Sequence, residues 1–497
     1  MEHIDVLIVG AGLSGIGAAC HLQDECPERS FAILEARGES GGTWDLFRYP
    51  GIRSDSDMFT LGYEFRPWPK AHALADGPSI LDYVRATARD RGLDKRIRFN
   101  RRVVRAEWSS ADARWTVSVE RGDDGGAETL TCSFLYANTG YYRYDEGYTP
   151  ELRGVERFQG TVVHPQHWPE QLDCSGKRVV VIGSGATAVT IVPALAETAQ
   201  HVTMLQRSPT YVLSIPPEDP LARAARRIAP PHLAYRLIRA KNVALASLLF
   251  WICRRAPRFM SRLLRAGVAK RLPEGYDVAT HFTPSYRPWD QRLCFVPDGD
   301  LFAAIAAGRA EVVTDRIETF TERGLRLASG AELEADVVVT ATGLNLLMLG
   351  GIELVVDGRS VELSRSVAYK GMMLCGVPNM SFTVGYTNAS WTLKADLVAR
   401  YTCRLLRHMG ARGLDVCVAH EPDAAEPRTQ LLDLASGYVL RALDQLPKQI
   451  SRAPWRLYQS YPRDVLLLRR GSVEDEAMEF RRAGATADDA ARELLAA

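Results

Sequence analysis

The chain has no C-x-x-C pair. Its nine cysteines (Cys20, Cys26, Cys132, Cys174, Cys253, Cys294, Cys375, Cys403 and Cys417) stand singly. That pattern argues against a disulfide scaffold, a cysteine-built zinc site or a dithiol redox centre, and fits reduced thiols in a cytoplasmic protein. Net charge is lacking too. Lys and Arg number 61 against 60 Asp and Glu, a balance of +1, so whole-chain electrostatics favour neither nucleic acid nor an acidic partner. The apolar runs are short, and Val243 to Cys253 covers only eleven residues, well below the roughly 20 needed to span a bilayer. The N-terminus MEHIDVLIVGAGLSG has no basic n-region, so no signal peptide is expected. Internal repeats and low-complexity tracts are also missing. What remains is 497 residues, 46% hydrophobic and 24% charged, an ordinary globular composition with room for two or three domains.

Asp5 to Val9 (DVLIV) is a β-branched apolar run, followed at once by GAGLSG. Gly10, Gly12 and Gly15, with Ser14 between, make G-x-G-x-x-G between that strand and an Ala-rich helical stretch. Glycines there permit a tight turn, a close backbone approach to a pyrophosphate and tight packing of helix on strand. The helix N-terminus then presents free N–H groups and a positive dipole end to the phosphates. A second strand, FAILE, ends at Glu35, twenty residues past Gly15, where a carboxylate can bind the ribose hydroxyls.

The design recurs in KRVVVIGSGATAVTIVPALAE. Lys177 to Ile182 supply the strand, and Gly183, Gly185 and Ala188 give G-x-G-x-x-A, with Ser184, Ala186 and Thr187 in the turn. Its second strand ends in Gln206, Arg207 and Ser208, with no acid. An arginine there accommodates a 2′-phosphate, so the expected ligand is NADPH, with FAD in the first fold. Strands ending in Thr-Gly follow each fold: FLYANTG to Thr139 and Gly140, and DVVVTATG from Asp336 to Gly343. They read as two crossings between domains. The expected architecture is α/β, with an FAD-binding domain split into 1–145 and 335–497. An NADPH-binding domain, 146–334, is inserted and carries a helical insertion at 215–275.

At the first crossing lies FQGTVVHPQHWPE, Phe158 to Glu170, too polar and too interrupted by Pro165 and Pro169 for a buried strand or a helix interior. Its HxxH, His164 and His167, has no further ligand cluster to make a metal site. The pattern Phe158, Gly160, His164, Trp168, Pro169 between two dinucleotide folds resembles the identifying motif of the Baeyer–Villiger monooxygenases, a branch of the class B flavoprotein monooxygenases. GGTWDLFRYPG (Gly41 to Gly51), RSD (Arg53 to Asp55), QRSPTY (Gln206 to Tyr211), WDQRL (Trp289 to Leu293), VGYTNASWTLKADL and LPKQISRAPWRL extend the resemblance.

The resemblance implies that NADPH reduces FAD and that the reduced flavin adds O2 to give a C4a-peroxyflavin. That species converts a ketone to an ester and oxygenates sulfides or thioamides; the alternative is an N- or S-hydroxylating flavin monooxygenase acting on heteroatoms. It makes Arg292 the active-site arginine and Asp55 its partner. Gly42, Thr43, Trp44, Asp45, Leu46, Arg53, Ser54 and Val103 fall at the flavin, and Phe158, Gly160, His164 and Trp168 form a coupling motif. Two positions depart from the family. Gln291 stands where a lysine often precedes the arginine, leaving Arg207 as the main phosphate selector. Asp45-Leu46-Phe47 follow Trp44, where relatives often carry more aromatics.

Leu221 to Arg271 holds thirteen Lys or Arg and no Asp or Glu. It reads either as a basic amphipathic stretch on an anionic membrane surface or as a helical insertion packed on the NADPH-binding domain.

Overall fold

The computed structural model describes residues 1–484 apart from 71, 123 and 217. The apolar run at the N-terminus becomes β1 (Glu2–Val9), followed by α1 (Leu13–Glu25) and β2 (Phe31–Leu34). β1 pairs in parallel with β2 on one side and with β6 (Ala127–Ala137) on the other. A central strand covered on both faces reads as a continuous apolar run, not as an alternation. β3 (Ile97–Arg98) extends the sheet beyond β2, and β4 (Arg101–Ser109) and β5 (Arg114–Arg121) form an antiparallel meander with β6.

The chain then crosses into a second sheet. Thr161–Val163 is its edge strand β7, followed by β8 (Arg178–Ile182), α2 (Ala186–Leu195) and β9 (His201–Gln206). With β10 (Ala310–Thr314) and β11 (Val337–Thr340) they form a parallel sheet in the order β10-β9-β8-β11-β7. The boundary expected at 335 thus falls just ahead of β11, a strand paired within the second sheet. The Phe158–Glu170 segment is more regular than its prolines suggest. Three of its residues add an edge strand, where only Val163 is buried, and Pro165 opens a single 3₁₀ turn.

After β11 the chain returns to the first sheet. β12 (Glu353–Val356) pairs with β4, and β13 (Met380–Phe382) pairs with the C-terminal half of β6. α6 (Trp391–Arg412) then lies on α1, with Trp391 Nε1–H donating to Ser14 Oγ at 2.7 Å. The molecule therefore has two Rossmann-like domains, the second inserted in the first. All nine cysteines are buried free thiols.

The insertion consists of α3 (Pro220–Ile228), α4 (Pro231–Arg255) and α5 (Pro257–Ala269), closed at its base by Val212–Ile215 pairing with Cys294–Pro297. It does not pack on the second domain alone. Ala234, Tyr235 and Ile238 of α4 join the core of the first domain. There the Arg239 guanidinium donates to the carbonyls of Phe59, Thr60 and Gly62 at 2.9, 3.2 and 2.8 Å and faces Asp396 at 3.5 Å. A buried cation persists only with such partners. α5 packs instead beside Tyr211, Trp289 and Leu293.

Candidate active site

The two glycine-rich turns are built alike. Gly10 has φ of +104° and a Cβ there would lie 2.6 Å from the Asn138 carbonyl oxygen, just beyond β6. Gly183 has φ of +139° and a Cβ there would lie 2.3 Å from the Ala341 carbonyl oxygen, just beyond β11. In each domain the turn is pressed against the backbone of a crossing, and only glycine fits.

Both turns open into one cavity of about 1280 Å³, large for a single small ligand. On the first-domain side it is lined by Gly10, Gly12, Ser14, Glu35, Gly42, Thr43, Trp44, Leu46, Arg53, Ser54, Asp55 and Val103. Gly183, Ser184, Gly185, Ala186, Thr187, Arg207, Ser208 and Arg292 line the second-domain side. The Gly12 and Gly42 backbones pack closely, a Cβ on Gly42 lying 3.0 Å from Gly12 Cα, so no side chain stands between the two turns. The buried Glu35 carboxylate accepts from Ala11 N–H at 2.7 Å and from Arg37 N–H at 3.0 Å. Burial raises its pKa against those hydrogen bonds. It pins the glycine turn and still has lone pairs for a hydroxyl donor. Arg207 is exposed and makes no ion pair among the described residues, while Ser184 Oγ–H donates to Ser208 O at 3.0 Å and fixes the turn beside it. The residues present fit a dinucleotide in each turn.

Several expected contacts lie elsewhere. Gly15 and Ala188 do not line the cavity. A Cβ on Gly15 would sit 1.8 Å from Gly10 O, and Ala188 is buried in α2, so both serve the packing of helix on turn. Asp45 is buried away from the cavity, paired with Arg37 at 2.6 Å, Arg85 at 2.8 Å and Arg48 at 3.3 Å. Gln206 is turned into the sheet, donating to His281 O at 2.8 Å and Thr314 Oγ1 at 2.9 Å. Arg53 lines the cavity but pairs with Asp300 at 2.5 Å, joining the two domains. Ser54 is held by its own turn, Oγ–H to Ser56 O at 2.8 Å.

Asp55 and Arg292 meet in the cavity between the domains. Arg292 Nε lies 2.8 Å from Asp55 Oδ2 and Nη2 lies 2.9 Å from Oδ1. The carboxylate holds the guanidinium pKa above its already high value, so it stays charged. Nη1 has no hydrogen-bond partner among the described residues. Tyr141, Tyr142 and Tyr438 line the cavity beside it, and burial pushes the phenols of Tyr141 and Tyr438 well above the usual range, keeping them neutral donors.

The Phe158–Glu170 segment touches both crossings. His164 Nδ1 accepts from Gln166 N–H at 3.2 Å, so the ring proton is on Nε2, which donates to Gly343 O at 3.2 Å. Burial lowers its pKa and favours this neutral form. Gln166, which sequence reasoning passed over, donates to Arg143 O and Tyr144 O at 2.9 and 3.0 Å, and His167 contacts Asp145 O at 3.1 Å. Phe158 packs on Phe320 with ring centroids 5.8 Å apart, and a Cβ at Gly160 would strike the Phe158 ring. Trp168 is half-buried on the second-domain core. Of the motif, none of Phe158, Gly160, His164 and Trp168 lines the cavity, although His167 does.

Comparison with known proteins agrees with this architecture. A family profile described as flavin-binding monooxygenase-like matches residues 64–220, and one for an NAD(P)-binding Rossmann-like domain matches residues 8–75. The FAD-containing monooxygenase EthA of Mycobacterium tuberculosis is 56% identical over 480 residues, covering 96% of this chain and 98% of its own. EthA of Mycolicibacterium smegmatis is 53% identical, covering 96% and 97%. In three dimensions the chain is similar to an oxidized steroid monooxygenase bound to NADP, with a TM-score of 0.77 and 23% identity over 97% of this chain and 100% of the other. This chain belongs to the family of FAD-containing monooxygenases.

Proposed function

We propose that the protein is an NADPH-dependent Baeyer–Villiger monooxygenase that holds FAD at the first glycine turn and NADPH at the second. It inserts one oxygen atom of O2 beside a ketone carbonyl. The bidentate Asp55–Arg292 pair, set where both turns open into one cavity, carries this reading. FAD reduced by NADPH supplies the oxygen activation. The chain supplies position and charge. Glu35 and the α1 N-terminus hold ribose and pyrophosphate, while Arg207 and Ser208 receive the 2′-phosphate. Asp55 occupies one edge of the Arg292 guanidinium and leaves Nη1 for the oxygen of a carbonyl under attack, where negative charge develops. Tyr141, Tyr142 and Tyr438 shape the space for the substrate's carbon skeleton.

Oxygenation of sulfur, in sulfides or thioamides, is the second reading. The match to the broader flavin-binding monooxygenase profile favours it, and it asks less of Arg292. Incubation with NADPH, 18O2 and either a ketone or a thioether, followed by mass spectrometry, tests both. Labelled ester supports the first reading; labelled sulfoxide with no ester from any ketone leaves only the second.

Among the described residues no helix is long and apolar enough to cross a membrane. Peripheral contact of the basic 221–271 stretch with a membrane belongs to the same reading, on the strength of its charge.

A further inference from the structure

The basic insertion carries an unusual concentration of exposed apolar surface. Nine of the fourteen exposed large apolar side chains among the described residues fall between 221 and 263. On α4, Leu233, Leu237, Leu248 and Trp251 recur at i, i+4, i+15 and i+18, which places them within about 60° of one another at 3.6 residues per turn. They form one stripe, centred roughly 120° around the helix from Ala234, Tyr235 and Ile238, which are buried in the first-domain core. Phe259 and Leu263, one turn apart on α5, are exposed as well, about 100° around that helix from the buried Met260 and Leu264. Trp251 is 59% exposed and Phe259 61%, a costly arrangement in water for rings of this size. Exposed Arg236, Arg255, Arg258 and Arg262 lie on the same two helices and have no acidic partner among the described residues.

We infer that this face docks on an anionic lipid surface, with the α4–α5 stripe inserted among the acyl chains and the arginines at the headgroups. Charge decides between a bilayer and a second copy of the chain. A two-fold dimer through the same face would set the unpaired Arg236, Arg255, Arg258 and Arg262, on helices that carry no acid, against the same four arginines of the second copy, whereas anionic headgroups neutralise them. Position gives the docking a use. Arg254 of α4 pairs with Asp290 at 3.1 Å, two residues before Arg292, and α5 packs on Trp289 and Leu293. A docked insertion therefore holds the loop bearing Arg292 next to the lipid, where a membrane-dissolved apolar substrate is concentrated. The inference rests on the peripheral contact proposed above but not on the oxygenation chemistry, and binding is read without turnover.

The test is sedimentation of the flavin-loaded full chain with phosphatidylglycerol–phosphatidylcholine vesicles and with phosphatidylcholine alone. Because the nine native cysteines are buried, Leu248→Cys can be labelled with a polarity-sensitive dye. We expect binding to anionic vesicles, a blue shift of the dye, and at least about tenfold weaker binding for Leu237→Ser/Leu248→Ser/Trp251→Ser. That triple variant should keep its bound flavin and its rate on a water-soluble ketone, while losing rate on a long-chain ketone presented in vesicles. If the triple variant binds like wild type while Arg255→Gln/Arg258→Gln/Arg262→Gln does not, the contact is electrostatic and the insertion of the stripe is overturned. No binding to anionic vesicles overturns the contact itself. A dimer in lipid-free solution that the triple variant dissolves assigns the face to a second copy and overturns the lipid reading.

Discussion

Arg292 and Asp55, 237 residues apart in sequence, are joined by two parallel hydrogen bonds of 2.8 and 2.9 Å across the domain junction. The fork-to-fork geometry fixes the guanidinium plane, and the carboxylate offsets its charge. Asp55→Ala should therefore slow anaerobic bleaching of the bound flavin by NADPH as well as oxygenation, because an unpartnered arginine is free to swing. Stopped-flow reduction at the wild-type rate would show that Asp55 does not position Arg292.

Arg207 stands exposed on the cavity wall without an ion pair among the described residues. Arg207→Ala should raise KM for NADPH about ten- to hundredfold, from about 1.5–3 kcal/mol of charge-assisted hydrogen bonding to a phosphate, and leave KM for NADH nearly unchanged. Equal changes for both nucleotides reject it as the phosphate reader.

His164, Gln166 and His167 tie one short segment to both crossings. His164→Ala removes the bond to Gly343 O, and Trp168→Ala removes packing on the second-domain core. Both variants should retain flavin yet lose most oxygenation, consuming NADPH with release of hydrogen peroxide. If both give wild-type product yield per NADPH, the segment is a packed linker only.

The glycine turns were legible because a backbone requirement is written directly in residue identity at Gly10, Gly12 and Gly183. Asp55 and Arg292 could be paired from sequence only because each stands inside its own motif; their separation gives no local signal. Asp45 and Gln206 misled because motif position says nothing about rotamer. One is drawn into a cage of three arginines, the other into bonds with His281 O and with Thr314 of the adjacent strand. The packing of α4 on the first domain was equally hidden. A basic sequence reads as solvated, and Arg239 is buried only because three carbonyls and Asp396 converge on it from distant elements.

His21 links α1 to α6 and should make stability depend on pH. Burial alone would lower its pKa, but contacts to Asp396 at 3.3 Å and Glu25 at 3.5 Å raise it to about 9, with Arg400 opposing. The stabilisation is fully present below the unfolded pKa of about 6.5 and is lost as pH rises through about 9, on the order of 3 kcal/mol at 1.36 kcal/mol per unit. Urea midpoints should fall across that window for the wild type and stay flatter for His21→Asn. Parallel curves remove His21 as the cause.

The most direct test of the oxygenation assignment is the product balance of Arg292→Ala, with Arg292→Lys beside it. Removing a preorganised electrostatic stabiliser costs about 2.7–4 kcal/mol, so ester formation from a ketone should fall a hundredfold or more. NADPH oxidation should continue and appear as hydrogen peroxide. Lysine, which lacks the fork that Asp55 grips, should restore little. An Arg292→Ala enzyme that still makes ester at near the wild-type rate, mole for mole with NADPH, would contradict the account.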